Sequence, residues 1–337
     1  MMSDGIGTND TRRVRAFLGV TLAAGLILLC SGCAGVRSAS AAAGRRPTAA
    51  EVRLVVTRDF GAKVLLDTVA PATKKLTVMR LLAEHATVDT GYGGQFVSGI
   101  DGVKSTFGAV SSADAADWFY WVDGMMADVG ADGWRLHGGE TVWWDYHRWA
   151  GSMYIPVSLD AFPAPFEGRV ALAGRSPFFA SVTEWARDQG LHVGDASSPG
   201  SATAGGQGID LVRASPTELP PADVIVAADP AAVSRMSWLA AALGRGPANG
   251  VFVRVHDGEI VPLAAGGAAG PQAAGAALAV PNPASPDHQV LVLLASDAES
   301  LDALLGSLTP ETLAHRVAVY LPSGAASVSA LPRAEAP

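Results

Sequence analysis

Cysteine is almost missing from this sequence. Among 337 residues only Cys30 and Cys33 carry a thiol, and both lie near the N-terminus. Downstream of them, disulfides, thiol nucleophiles and Cys-ligated metals are excluded. Charge is scarce as well: 17% of residues are charged against 49% apolar, and the net charge is −8. An acidic excess with no basic stripe excludes nucleic acid as an expected partner. Recognisable reaction motifs are missing too. There is no Gly-x-Ser-x-Gly elbow. The glycine-rich "GGQGID" (205–210) follows no strand and so cannot cradle a phosphate. The 7 histidines are scattered, with no second metal ligand at a recognised spacing. No catalytic residue, metal ligand or cofactor is assigned, and no enzymatic activity is expected.

What is present begins with a leader. Arg12, Arg13 and Arg15 precede an apolar run from Phe17 to Leu29, the length of a signal-peptide core. It falls short of the about 20 residues needed to span a bilayer. The Ser31-Gly32-Cys33 ending resembles a bacterial lipobox, although Cys30 stands where a leucine is usual. Residues 1–33 are therefore expected to be a signal peptide with Cys33 as the lipidated residue. The mature chain would be extracytoplasmic and anchored to the cell membrane; secretion after cleavage in "SASAAAG" is the alternative. Residues 34–50, small and aperiodic, are expected to be a flexible tether.

Two domains follow. Over 51–150, "EVRLVVT" alternates as a strand and "AKVLLDTVA" returns it. Thr73 to Ala86 predicts a helix with Leu76, Met79, Leu82 and Ala83 on one face. "DWFYWV-DG-MMADV" predicts a hairpin, because Asp-Gly between apolar runs suits a two-residue turn. Over 165–323, strands such as "DVIVAA" and "QVLVLLAS" alternate with helices. Ser176-Pro177 and Gly190 bracket one helix, Asp229-Pro230 and Gly244 another. Ser296 with Glu299 predicts a capping box for a third, and Thr309-Pro310 opens a fourth. The fold class expected is an α+β, β-grasp-like N-terminal domain followed by an α/β three-layer C-terminal domain. Residues 194–208 and 264–278 are expected to be mobile loops, and 324–337 a disordered tail.

Aromatic clustering is the outstanding feature. Six of the 8 tryptophans fall between 118 and 149. Alternation within "VWWDYHRW" puts Trp143, Asp145, His147 and Trp149 on one side of a strand and Trp144, Tyr146 and Arg148 on the other. Trp118, Tyr120 and Val122 likewise oppose Phe119 and Trp121. A single sheet with one helix buries one face only. The other set of rings must meet the second domain, a ligand or a partner protein.

"VTRDFG", "TVMRLL", "VDTGYGGQFVSGIDG", "DWFYWVDGMMADVGA" and "RLHGGETVWWDYHRW" occur in this order. Over about residues 51–150 the chain thereby resembles a bacterial family of unknown function, itself similar to the C-terminal domain of transcobalamin and intrinsic factor. That family is common in secreted and lipid-anchored proteins. The resemblance implies a β-grasp-type fold and a surface that covers one face of a corrin ring. The helical domain that holds the other face in the animal carriers has no counterpart here. The function expected is a non-enzymatic lipoprotein that captures a small flat ligand, with cobalamin or another corrinoid as the candidate, for delivery to a membrane importer. The candidate ligand-binding residues are Tyr92, Gly93, Gly94, Phe96, Trp118, Tyr120, Trp143, Asp145 and His147: aromatics give area at low entropic cost, and glycines allow close approach to the backbone. The alternative is a structural or adhesive surface module that binds a protein or wall polymer.

Overall fold

The computed structural model describes residues 44–334 apart from 95, 107, 109, 112–113, 150–151, 167–168, 175–177 and 194–218. The leader, Cys33 and the loop expected over 194–208 lie outside the described residues. The fold is mixed α/β, rich in strands and built on several sheets.

The N-terminal half contains β1 (Glu51–Arg58), β2 (Lys63–Pro71), α1 (Val78–His85), β3 (Val88–Gly91), β4 (Phe96–Ile100), β5 (Val103–Lys104), β6 (Ala116–Val122), β7 (Met125–Met126) and β8 (Thr141–Arg148). One sheet has the order β2-β1-β8-β6-β7, with β1 and β8 parallel at its centre; β3, β4 and β5 form a second, small sheet. Thr77 caps α1 by accepting from the Arg80 N–H. The helix starts later than the apolar spacing predicts, and it turns a different face inward. Val78, Leu81 and Leu82 face the core, while Met79 is half-buried and Ala83 exposed.

The predicted hairpin forms. Trp121 pairs with Met126 and Val122 with Met125. Asp123 (φ 48°) and Gly124 (φ 79°) take the two left-handed positions of the turn. Asp123 accepts the Thr141 N–H at 2.8 Å. Its partial burial, with Glu140 nearby, pushes the carboxyl pKa up to about 6. The native state therefore holds a proton that the unfolded chain releases, and stability falls as the pH rises through this window. Asp123→Asn keeps both the turn preference and an acceptor for Thr141. It is expected to raise stability at pH 7 by about 1–2 kcal/mol and to flatten the pH dependence between about pH 4 and pH 6. Urea unfolding across that range checks both.

The C-terminal half contains β9 (Arg169–Gly174), α2 (Phe178–Asp188), β10 (His192–Val193), β11 (Asp223–Ala228), α3 (Pro230–Arg235), α4 (Ser237–Leu243), β12 (Val253–His256), β13 (Glu259–Pro262), β14 (Ala273–Pro281), β15 (Gln289–Ala295), α5 (Ala298–Ser307), α6 (Pro310–Leu313), β16 (Ala318–Pro322) and β17 (Ser329–Leu331). The sheet order is β10-β9-β11-β15-β14-β13-β12, with β16 on β14 and β17 on β16. Strands β9, β11 and β15 run parallel, and β14 is antiparallel to β15. Val182 and Trp185 of α2 and Leu301 and Leu304 of α5 share a core with Leu172, Ile225 and Leu291 on one sheet face. Val233 of α3 and Leu239 of α4 pack with Val224, Val226 and Val292 on the other.

Five expectations change here. The stretch 264–278 is not a loop throughout: from Ala273 it is β14, a buried strand. Its composition is a packing requirement, because a Cβ on Gly275 would lie 2.9 Å from the Leu294 carbonyl oxygen and 3.4 Å from Leu304. The segment after Pro322 carries β17, whose Leu331 is buried against the sheet. The helix over 230–244 divides at Met236, which leaves the helical region with ψ 88°. The third C-terminal helix is capped by Asp297, which accepts the Ser300 N–H, rather than by Ser296. Part of the expected tether is also docked: Pro47 is buried, and a Cβ on Gly138 would sit 1.8 Å from the Ala49 oxygen.

Candidate functional site

Register decides what the aromatic strands can do. In the β6–β8 pair, Trp118 lies opposite Tyr146 and Tyr120 opposite Trp144, whereas Phe119 lies opposite Asp145 and Trp121 opposite Trp143. Directly opposed residues share a face. Trp118 and Tyr120 therefore belong to the α1 side, and Trp143, Asp145 and His147 to the other. The structure does not bring these five candidates onto one surface.

On the α1 side, Trp118 is buried, packs against Tyr146 at 5.2 Å between ring centroids, and donates its indole N–H to the Val103 carbonyl at 3.0 Å. Tyr120 is half-buried and stacks on Trp144 at 4.8 Å. Its hydroxyl donates to the Val129 carbonyl. Burial, with Asp128 and Asp132 nearby, pushes the Tyr120 phenol well above its ordinary range.

The opposite face is covered by the C-terminal half. Val55, Trp121 and Trp143 share one core with Leu239, Phe252 and Val292. A polar network sits inside this apolar junction. Asp145, 0% exposed, accepts from the Thr57 hydroxyl, from the Phe60 N–H at 3.0 Å, from the Gly61 N–H at 2.9 Å and from His147 Nδ1 at 2.8 Å. Trp143 Nε1 donates to Thr57 Oγ1 at 2.7 Å. The His147 ring lies between Phe60 (4.4 Å) and Phe119 (4.5 Å), stacked on both. Its Nε2 is buried without a hydrogen-bond partner. An Asp–His pair of this kind can orient an imidazole, but here aromatic rings fill both sides of it. Its visible work is to fix the 59–61 turn, whose three residues all have positive φ (58°, 58° and 81°). Phe60 also meets Phe252 of the other half edge-on at 5.8 Å.

Of the remaining four candidates, Tyr92, Gly93 and Gly94 occupy the turn between β3 and β4, and Phe96 opens β4. Tyr92, Gly93 and Gly94 have φ of 50°, 73° and 96°. Tyr92 is 80% exposed and meets Phe96 edge-on at 6.1 Å. A Cβ on Gly93 or Gly94 would touch nothing within 4 Å, so space stands open above this backbone. A tyrosine at positive φ is uncommon and marks a position held there by its surroundings.

Sequence reasoning missed one further concavity. A groove of about 470 Å³ runs between α2 and α5, with Glu184, Asp188 and Asp302 at its rim and Trp185, Leu305 and Leu308 below. The signal was the Glu184/Asp188 pair at helical i, i+4 spacing. These three carboxylates are exposed to solvent. Among the described residues no group of three or more His, Cys, Asp or Glu could hold a metal ion.

No curated protein matches the chain. Residues 76–148, from just before α1 to the end of β8, match the family described as Domain of unknown function (DUF4430).

Proposed function

We propose that this is a non-enzymatic binding protein, displayed outside the cytoplasm on a lipid attached to Cys33, whose contact surface is the β3–β4 turn. The carrying observation is that, of the nine candidate residues, only Tyr92 and its neighbour Gly93 are exposed, and Tyr92 stands beside open glycine backbone. A small, flat, partly apolar ligand can lie on such a turn, with Phe96 supporting the Tyr92 ring. A corrinoid such as cobalamin is the first ligand to try, on the strength of the resemblance over 51–150, with a membrane importer as recipient. The parallel β1–β8 centre crossed by α1 supports a β-grasp reading of the N-terminal half. Helices on both faces support a three-layer reading of the C-terminal half.

Equilibrium dialysis of the mature protein against cobalamin and cobinamide tests this. Tyr92→Ala should weaken binding about tenfold through the loss of one aromatic contact. It should change stability by no more than about 0.5 kcal/mol, because the side chain is exposed. Failure to retain either corrinoid at tens of micromolar would remove the corrinoid reading. A second reading, a surface module that binds a protein or wall polymer, is favoured by Met153 and Tyr154, adjacent and more than half exposed. It predicts co-sedimentation with wall polymer, lost in a Met153→Ser/Tyr154→Ser double variant and kept in Tyr92→Ala.

A further inference from the structure

A second buried polar cluster crosses the junction between the halves. Arg53 on β1 grips Asp67 on β2 with two hydrogen bonds of 2.9 and 2.8 Å, both side chains almost fully buried. His315, between α6 and β16, places Nε2 3.2 Å from Asp67 and 3.3 Å from Arg53. Asp160, in the segment between β8 and β9, accepts the His315 N–H with one carboxyl oxygen. Its other oxygen, Oδ2, is buried with no hydrogen-bond partner. The Leu159 N–H bonds to the Arg316 carbonyl at 3.0 Å, so the 159–160 and 315–316 segments lie side by side.

We propose that this cluster is a proton-operated latch: the junction is tight while Asp160 is protonated and loosens as that proton leaves, uncovering the face that carries Phe60, Phe119, Trp143 and His147.

The charge balance argues for it. Arg53 and Asp67 cancel. While Asp160 is protonated it adds no charge to that balanced pair. Loss of the Asp160 proton places a second carboxylate near Asp67, with one oxygen lacking any donor, in a region with little solvent to stabilise it. The titratable and charged groups around Asp160 are Arg53 from β1, Asp67 from β2, and His315 and Arg316 from the segment before β16. Burial, the largest effect, holds Asp160 above the ordinary aspartate range, with Asp67 adding to it and Arg53 and His315 opposing. Burial would raise Asp67 as well, but bonds from His315 and Arg53 outweigh it and hold Asp67 low. Asp67 thus stays charged while Asp160 keeps its proton. For a raised carboxyl group, the stabilisation is complete below its unfolded value and is lost as the pH rises through the folded one. The latch is therefore closed in acid and opens toward neutral and alkaline pH.

Hydrogen exchange on the full mature chain, corrected for intrinsic rates, tests the latch between about pH 5 and pH 8. Protection of the β1 and β8 amides relative to α2 should fall about tenfold across this range. In Asp160→Asn it should change less than about twofold. A flat profile in the unmodified chain, or an unmodified slope in Asp160→Asn, overturns the proposal. Acrylamide quenching of tryptophan in the unmodified chain provides a readout that needs no variant. Quenching should rise with pH, and its failure to rise equally overturns the latch.

Discussion

Asp145→Ala is expected to destabilise the protein by about 4 kcal/mol, among the largest losses from a single side chain in this molecule. One carboxylate receives four donors in a fully buried site: the Thr57 hydroxyl, the Phe60 and Gly61 N–H groups and His147 Nδ1. Its removal leaves those donors in an apolar junction, each facing a desolvation cost of about 1–3 kcal/mol before the structure relaxes. Phe60 then loses what aims it at His147 and Phe252. Asp145→Asn retains one accepting oxygen but turns an NH2 group toward a donor, so an intermediate loss of about 2 kcal/mol is expected. Urea unfolding of the two variants beside Tyr92→Ala measures the series. A loss below about 1 kcal/mol for Asp145→Ala would mean that the carboxylate does not hold the turn.

That Asp145 organises a junction, and does not face a ligand, could not be read from the strand alone. Alternation correctly separated Trp143, Asp145 and His147 from Trp144 and Tyr146. What it lacked was the β6–β8 register, which puts Trp118 and Tyr120 opposite Tyr146 and Trp144. Register depends on pairing between segments some twenty or more residues apart, whereas the Asp123-Gly124 turn depends on two residues. Local chemistry was accordingly legible: the hairpin and the caps at Thr309 and Asp229 stand where their residues predict. Composition misled at β14, where alanine and glycine suggest a loop. The same small side chains let a strand lie between two packed faces, and no signal within the segment separates the two cases.

The cluster of Arg53, Asp67, Asp160 and His315 was invisible for a related reason. Its members come from four segments, and none has a motif neighbour. The tryptophans, by contrast, announced that both faces of β6 and β8 would need cover. The inference from excess aromatic surface to a missing partner was sound physics. The partner proved to be the chain's own C-terminal half, through Leu239, Phe252 and Val292. The exposed β3–β4 turn is thereby separated from the buried rings, and a ligand on Tyr92 need not disturb the junction.

Gly61→Ala isolates that junction more sharply than any truncation. Gly61 has φ of 81°, and a Cβ there would lie 1.9 Å from the His315 carbonyl oxygen and 2.8 Å from its carbonyl carbon. The obstruction is backbone against backbone, so no rotamer change relieves it. The 59–61 turn must withdraw from the second half, breaking the Gly61–Asp145 bond and the Phe60 contacts with it. Gly93 supplies the control: its φ is 73°, but an added Cβ meets nothing within 4 Å. Gly93→Ala should therefore cost only the positive-φ penalty of about 1 kcal/mol. Gly61→Ala should add a contact cost that brings the loss to about 3–5 kcal/mol, the range of severe core disruption. If the halves separate before they unfold, the single urea transition becomes two, with tryptophan fluorescence changing in the first. Equal losses for the two alanine variants would show that the turn is not wedged between the sheets, and would remove the structural basis for both the Asp145 network and the latch beside it.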